Sequence, residues 1–267
     1  MHASAAFTTA PSASVTSCVT SSLSTDCSAQ GSAANGGLSL PRLPVQNAVV
    51  TEDEQSGTEP RSFLICVTEI ARQLSIDNVA TEPDDRPARH LAHAVRRPLL
   101  ERAHLPEELF APLMAAAVYD PDPSFCRWFV EPAVYAFGRR RVMAALVEYL
   151  RFGTDAERAG AVRAWYCAHV PLRPDRSPAY AAGGVRDPAL DESQDVKEAW
   201  LEASMRVLAE ATDLRMRHRV LHGLPTSRAA YPRRLHNLLD STVASAQAHP
   251  DQHIRRWAAA AADHDAV

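Results

Sequence analysis

From Phe63 onward, apolar side chains return at steps of three and four residues, the spacing of one face of a helix. Phe63, Val67, Ile70, Ala71 and Leu74 form the first stripe. Leu91, Val95 and Leu99 form the second, and Pro98 is expected to kink it or end it. Pro106 is placed to open a helix carrying Leu109, Phe110, Leu113 and Met114. In "YDPDPSF" (119–125), Asp122 is expected to cap a helix that begins at Pro123. Val142, Leu146 and Tyr149 oppose Arg141, Glu148 and Arg151 on the next helix, which Gly153 ends. No segment alternates with a period of two over the length of a strand. The pattern predicts an all-α chain.

The segment "TDAERAGAVRAWYCAH" (154–169) departs from simple amphipathicity. Thr154 and Glu157 make a capping box, and Asp155 adds negative charge where the helix dipole favours it. Ala156, Gly160, Ala161, Ala164, Cys167 and Ala168 share one broad arc; Val162, Trp165, Tyr166 and His169 share the opposite one. Small residues let a neighbouring helix come close, and large ones fill space on the other side. A helix of this kind is expected to have neighbours on two sides.

Two stretches carry no such periodicity. Residues 1–60 are rich in Ala, Ser, Thr, Gly and Pro and hold too few large apolar side chains to repay ordering entropy, so a disordered tail is expected there. The helical repeat domain then spans 61–267, and "VPLRPDRSPAYAAGGVRDPALD" (170–191) reads as a flexible loop within it.

A local grammar recurs through the second half. Asp122 precedes Arg127, Phe129 and Val130; Asp155 precedes Arg158, Val162 and Trp165. Asp213 precedes Arg217, Val220, Leu221 and Leu224; Asp251 precedes Arg255, Trp257 and Ala258. These aspartates stand 33 to 58 residues apart, the longest interval holding the 170–191 loop. Helix pairs repeated at about 35–50 residues are the mark of an α-solenoid. "ALVEYLRFGTDAERAGAVRAWYCA" (145–168) resembles the helix–turn–helix unit of HEAT-repeat proteins, and "LRMRHRVLHGL" (214–224) and "DQHIRRWAAAA" (251–261) resemble second helices of further units. The resemblance covers about 120–265. It implies a solenoid whose turn aspartates and helix arginines interact between neighbouring units, and whose second helices line an inner surface.

Charge narrows the function. Residues 1–83 carry three basic against eight acidic side chains, and residues 84–267 carry 25 against 24. The folded part is therefore near neutral, which disfavours nucleic acid as a partner while leaving a local arginine stripe open. Lys197 is the only lysine. The five cysteines are odd in number and without a CxxC, as expected of free, mostly buried thiols in a reducing compartment. No run approaches the roughly 20 apolar residues that span a bilayer, and no leader is evident, so a cytoplasmic protein is expected.

Candidate chemistry is thin. His218 and His222 stand four apart without a persuasive third ligand, and His90 and His93 are a similar pair, so no metal site is expected. Cys167 and His169 point too far apart on a helix to act as nucleophile and base. The four tryptophans fall on apolar stripes and read as core. Arg139–Arg141 is a basic run at a helix start, read as a solvated turn, with an offsetting acidic group near Glu148 or on a partner as the alternative. No phosphate loop, carboxylate pair or Ser–His–Asp signature occurs, and no cofactor is expected. The arginines early in a second helix (Arg158, Arg217, Arg255) are expected to be tied to Asp155, Asp213 and Asp251. Arg163, Arg219 and Arg256 have no evident partner and are expected on one exposed face. The resulting expectation is a binding or scaffolding module for another protein or an acidic ligand. The alternative is a DNA-binding or base-excising protein of the same architecture, which requires a concave face lined with Arg and Trp.

Overall fold

A computed structural model describes residues 58–76, 87–169, 171–173 and 186–263, with side chains between 63 and 262. Ten α-helices run through these residues: α1 (Thr58–Gln73), α2 (Pro87–Glu101), α3 (Phe110–Tyr119), α4 (Arg127–Phe137), α5 (Arg139–Phe152), α6 (Asp155–Ala168), α7 (Gln194–Glu210), α8 (Leu214–Leu221), α9 (His236–Gln247) and α10 (Gln252–Asp263). There is no strand among the described residues. None of their helices is long and apolar enough to cross a membrane. The expected tail lies outside the described residues up to 57, while its last three residues already belong to α1. Of the expected loop, 170 and 174–185 lie outside the described residues, and Pro188–Leu190 form a short 3-10 turn.

Each odd-numbered helix packs on the even-numbered one that follows it. Odd helices also meet odd ones, with α1 on α3, α5 on α7 and α7 on α9. Even helices meet even ones: α2 on α4, α4 on α6, α6 on α8 and α8 on α10. Between the second and third pairs the packing is crossed, since α3 lies chiefly against α6 and α4 against α5 as well.

The crossing depends on the small face of α6. Gly160, Ala161, Ala164 and Ala168 are buried, and a Cβ on Gly160 would stand 2.1 Å from the Val118 carbonyl oxygen of α3. Nothing larger than hydrogen fits there. Gly138, between α4 and α5, has φ +88° and lies under the Leu190 carbonyl, a conformation and a space that both require glycine. The core runs through all these helices, with Phe63 meeting Phe129 edge to face at 5.8 Å and Phe110 meeting Phe137 at 5.3 Å.

Two local expectations are corrected. Pro98 does not end α2, which runs on to Glu101; Pro132 lies inside α4 in the same way. Asp122 does not cap a helix at Pro123. It accepts from the Ser124 amide at 2.9 Å within a turn, and α4 starts at Arg127. The capping box at Thr154 is formed: the Glu157 amide donates to the Thr154 hydroxyl, and Glu157 accepts from the Thr154 amide at 2.7 Å.

Arginine closes many of the helix ends. The last carbonyls of a helix have no partner within it, and a guanidinium carries five donors to offer them. Arg102 donates to Leu74 O after α1 at 2.7 Å. Arg186 donates to Val134 O and Tyr135 O of α4, both at 2.6 Å. Arg217 donates to Ala211 O after α7 at 2.6 Å, and Arg255 to His249 O and Pro250 O after α9 at 2.8 and 2.5 Å. Positive charge at these ends also matches the helix dipole.

Candidate functional site

The second helices α6, α8 and α10 share a starting register. Their cap residues are Thr154, Asp213 and Asp251, and each helix carries an arginine four residues later: Arg158, Arg217 and Arg255. The expected tie between these arginines and the turn aspartates holds in only one of three cases. Arg158 lies 3.4 Å from Asp155 and also reaches Arg151 O of α5 at 3.3 Å. Arg217 and Arg255 instead bind the carbonyls at the end of the preceding helix, while Asp213 and Asp251 are engaged with backbone amides of their own helices.

Aspartates of the turns do meet the preceding unit elsewhere. Asp120 is fully buried and takes both guanidinium nitrogens of Arg89 from α2, at 2.5 and 3.1 Å. Burial raises its carboxyl above the ordinary value, while the Arg89 bonds pull the other way. Asp251 lies 3.1 Å from the Nε2 of His218 on α8. The amide of Ile254, and then His218, hold its carboxyl below the usual aspartate value.

Position cap plus five decides what fills the seam between successive second helices. On α8 it is His218, against Asp251 and, at 5.3 Å between rings, His253; His222 lies 5.4 Å from the same ring of His253. On α6 the equivalent residue is Ala159. There the seam opens into a cleft of about 200 Å³, lined by Asp155, Ala156, Ala159, Asp213, Arg215, Met216 and Arg219. Among the described residues, no group of three His, Cys, Asp or Glu side chains is placed to hold a metal.

The three arginines singled out by sequence fall in different settings. Arg219 is exposed and lines the α6–α8 cleft. Arg256 is exposed on α10. Arg163 is half-buried and donates to Asp120 O and Val118 O at the end of α3, at 3.1 and 3.5 Å. It therefore has intrachain partners that sequence spacing did not reveal.

Arg140 and Arg141 are exposed, as a solvated run would be, but acidic groups offset the charge. Arg140 pairs with Asp195 at 2.6 Å, Arg141 pairs with Glu107, and the Arg139 amide donates to Asp191. Acids from three other segments thus offset a basic run at a helix start.

The tryptophans are engaged within the chain. Trp200 and Trp257 are buried, and the Trp257 Nε1 donates to Leu224 O at 3.3 Å. Trp165 is half-buried and stacks on Trp200 at 4.0 Å with planes 6° apart, while Tyr166 is 80% exposed. The large arc of α6 is thus only partly core. Trp128 lies under the guanidinium of Arg96 at 4.7 Å, with His93 edge-on at 4.4 Å. In comparisons with family models, with curated proteins and with solved structures, nothing matches this chain.

Proposed function

We propose that the chain is a HEAT-like solenoid of helical hairpins and works as a non-enzymatic binding or scaffolding module in the cytoplasm. The observation that carries this reading is the shared register of α6, α8 and α10, each with a cap, an arginine four residues on, and a helix end within that arginine's reach. From α5 onward, packing of odd helices on odd and even on even gives the same picture at the level of whole elements. Units that touch mainly their neighbours and repeat one set of ties are how solenoids are built, and extended surfaces are their common use.

The partner in this proposal is another protein or an acidic ligand, met through the exposed guanidiniums of Arg219 and Arg256. Arg163 takes part through the α3 end that it holds. The base-excising alternative calls for aromatic faces ready to receive a base, and the tryptophans here are packed against protein groups instead.

The test compares two immobilised baits, the wild-type chain and Arg219→Ser/Arg256→Ser, in extract from the native host with mass spectrometry of what is retained. An acidic protein held by wild type and depleted tenfold or more on the variant is the expected result, with matching melting midpoints for the two baits. Identical captured sets from both would sink the proposal.

A further inference from the structure

Two thiols that lie 41 residues apart in sequence come together where α4 begins and α6 ends: Cys126 Sγ and Cys167 Sγ are 3.4 Å apart. Their settings differ. Cys126 is 1% exposed, and its Sγ also lies 3.3 Å from Pro123 O and 3.9 Å from Arg163 O. Cys167 is half-buried and borders a small open cleft with Glu131, Val134, Tyr135, Pro171 and Leu172. Cys167 is therefore the less buried of the two residues, and the Cys126 sulfur stands directly behind it.

The charges around the pair separate their roles. The hydrogen bond between the two thiols draws the Cys167 thiol below its ordinary value; burial opposes this, and the field of Arg127 adds to it. The same hydrogen bond and burial push Cys126 up. Glu131 opposes ionisation of Cys167, but it is bound by Arg127 at 3.0 Å. Cys66 provides a built-in contrast, since it is buried and burial pushes its thiol up to about 12. The thiolate is the reactive form, so Cys167 is the sulfur to react first.

We propose that Cys126 and Cys167 are a redox-modifiable dithiol that a peroxide converts into a disulfide joining α4 to α6. In the first step the Cys167 thiolate attacks one peroxide oxygen and the O–O bond breaks. The departing hydroxide takes up the proton lost by the thiol, leaving water and a sulfenic acid. In the second step Cys126 gives up its proton and its sulfur attacks that of Cys167. The S–O bond breaks, and the hydroxyl leaves with the proton as a second water. Two thiols are oxidised by two electrons in all and one peroxide is reduced. The sulfurs must close to about 2.05 Å to bond. The new link would tie the start of one second helix to the end of the next, and a thiol reductant would reverse it.

The experiment uses the full chain, reduced, freed of reductant and treated with hydrogen peroxide at one to ten equivalents. Non-reducing peptide mapping is expected to find Cys126 joined to Cys167 as the main product, while Cys66 stays reduced. In Cys126→Ser, Cys167 is expected to stop at a sulfenic acid that dimedone traps, and in Cys167→Ser the rate of thiol loss at Cys126 is expected to fall at least tenfold. A wild-type map without the Cys126–Cys167 peptide overturns the proposal, and this measurement does not depend on the variants folding. Equal oxidation of Cys66, Cys126 and Cys167 overturns it too.

Discussion

The α6–α8 and α8–α10 seams begin from the same register and end differently. In both, an aspartate caps the incoming helix and faces position cap plus five of the helix before it. Where that position is His218, the ring meets Asp251 and packs with His253, and the seam is filled. Where it is Ala159, a methyl group cannot reach across, and Asp213, Arg215 and Arg219 border open space. One side-chain choice at a fixed position separates a closed joint from a cleft. The three helices share a starting register, and the side chain at this position differs between the filled seam and the open one.

The comparison breaks most sharply at the glycines of the two outgoing helices. Gly160 on α6 is pressed against the Val118 carbonyl, so a methyl group there forces α6 away from α3. Gly223, just past α8, has only the Val220 carbonyl at 3.5 Å, an ordinary contact. Gly160→Ala is expected to cost about 3 kcal/mol or more, at the upper end of overpacking. Gly223→Ala is expected to stay within about 0.5 kcal/mol, as for an exposed site. Urea melts of the two variants decide it, and equal losses would mean that the seat of α6 is not rigid.

A smaller effect separates the arginines at cap plus four. Arg217 holds Ala211 O and the His249 ring, both at 2.6 Å, so it joins the end of α7 to the turn before α10. Arg158 makes only the two longer contacts at 3.3 and 3.4 Å. Hydrogen bonds from charged groups contribute about 1.5–3 kcal/mol, and the upper half of that range is expected for Arg217→Ala. About 1 kcal/mol or less is expected for Arg158→Ala, where one partner is an exposed carboxylate. If the order of the two losses in denaturant melts is reversed, the filled seam is not the better-tied one.

Much of this was legible in the chain before any coordinates. Helical spacing marked the chain as all-α and placed several of the helices, and Thr154 with Glu157 marked a cap that formed as expected. The shared Asp and Arg positions could also be read, but their partners could not. A guanidinium is long enough to bind a carboxylate in its own turn or a carbonyl several residues back, and sequence spacing does not choose between them. Arg217 and Arg255 went to carbonyls, while the nearby carboxylates accept from amides of their own helices. Arg163 was hidden for another reason: its partners on α3 lie more than 40 residues away and are backbone atoms, which leave no mark in a side-chain pattern. The approach of Cys126 to Cys167 is equally non-local, and the odd cysteine count pointed away from it. Pro98 misled as a boundary because proline is disfavoured inside a helix, yet packing on neighbouring helices carries α2 past it.

The smallest expected effect tests what holds the filled seam together, through pH. The Asp251 carboxyl is kept below its ordinary value in the folded chain, first by the Ile254 amide and then by His218. A lowered folded value means that the unfolded chain takes up the proton first as pH drops. The stabilisation is then complete above the unfolded aspartate value of about 3.9 and is lost as pH falls through the folded one. In Asp251→Asn the side chain still accepts from the amides, since asparagine is a good cap, but it no longer titrates. The difference in urea midpoint between wild type and Asp251→Asn is therefore expected to be constant from pH 6 to about 4 and to shrink below that. His218→Ala removes the ring and leaves both amides, so most of the acid dependence should remain, because the amide bond is the larger cause. A profile as flat in His218→Ala as in Asp251→Asn would assign the effect to the histidine contact. The closed joint would then be electrostatic at its centre, and the open seam at Ala159 would differ from it in charge pairing as well as in size.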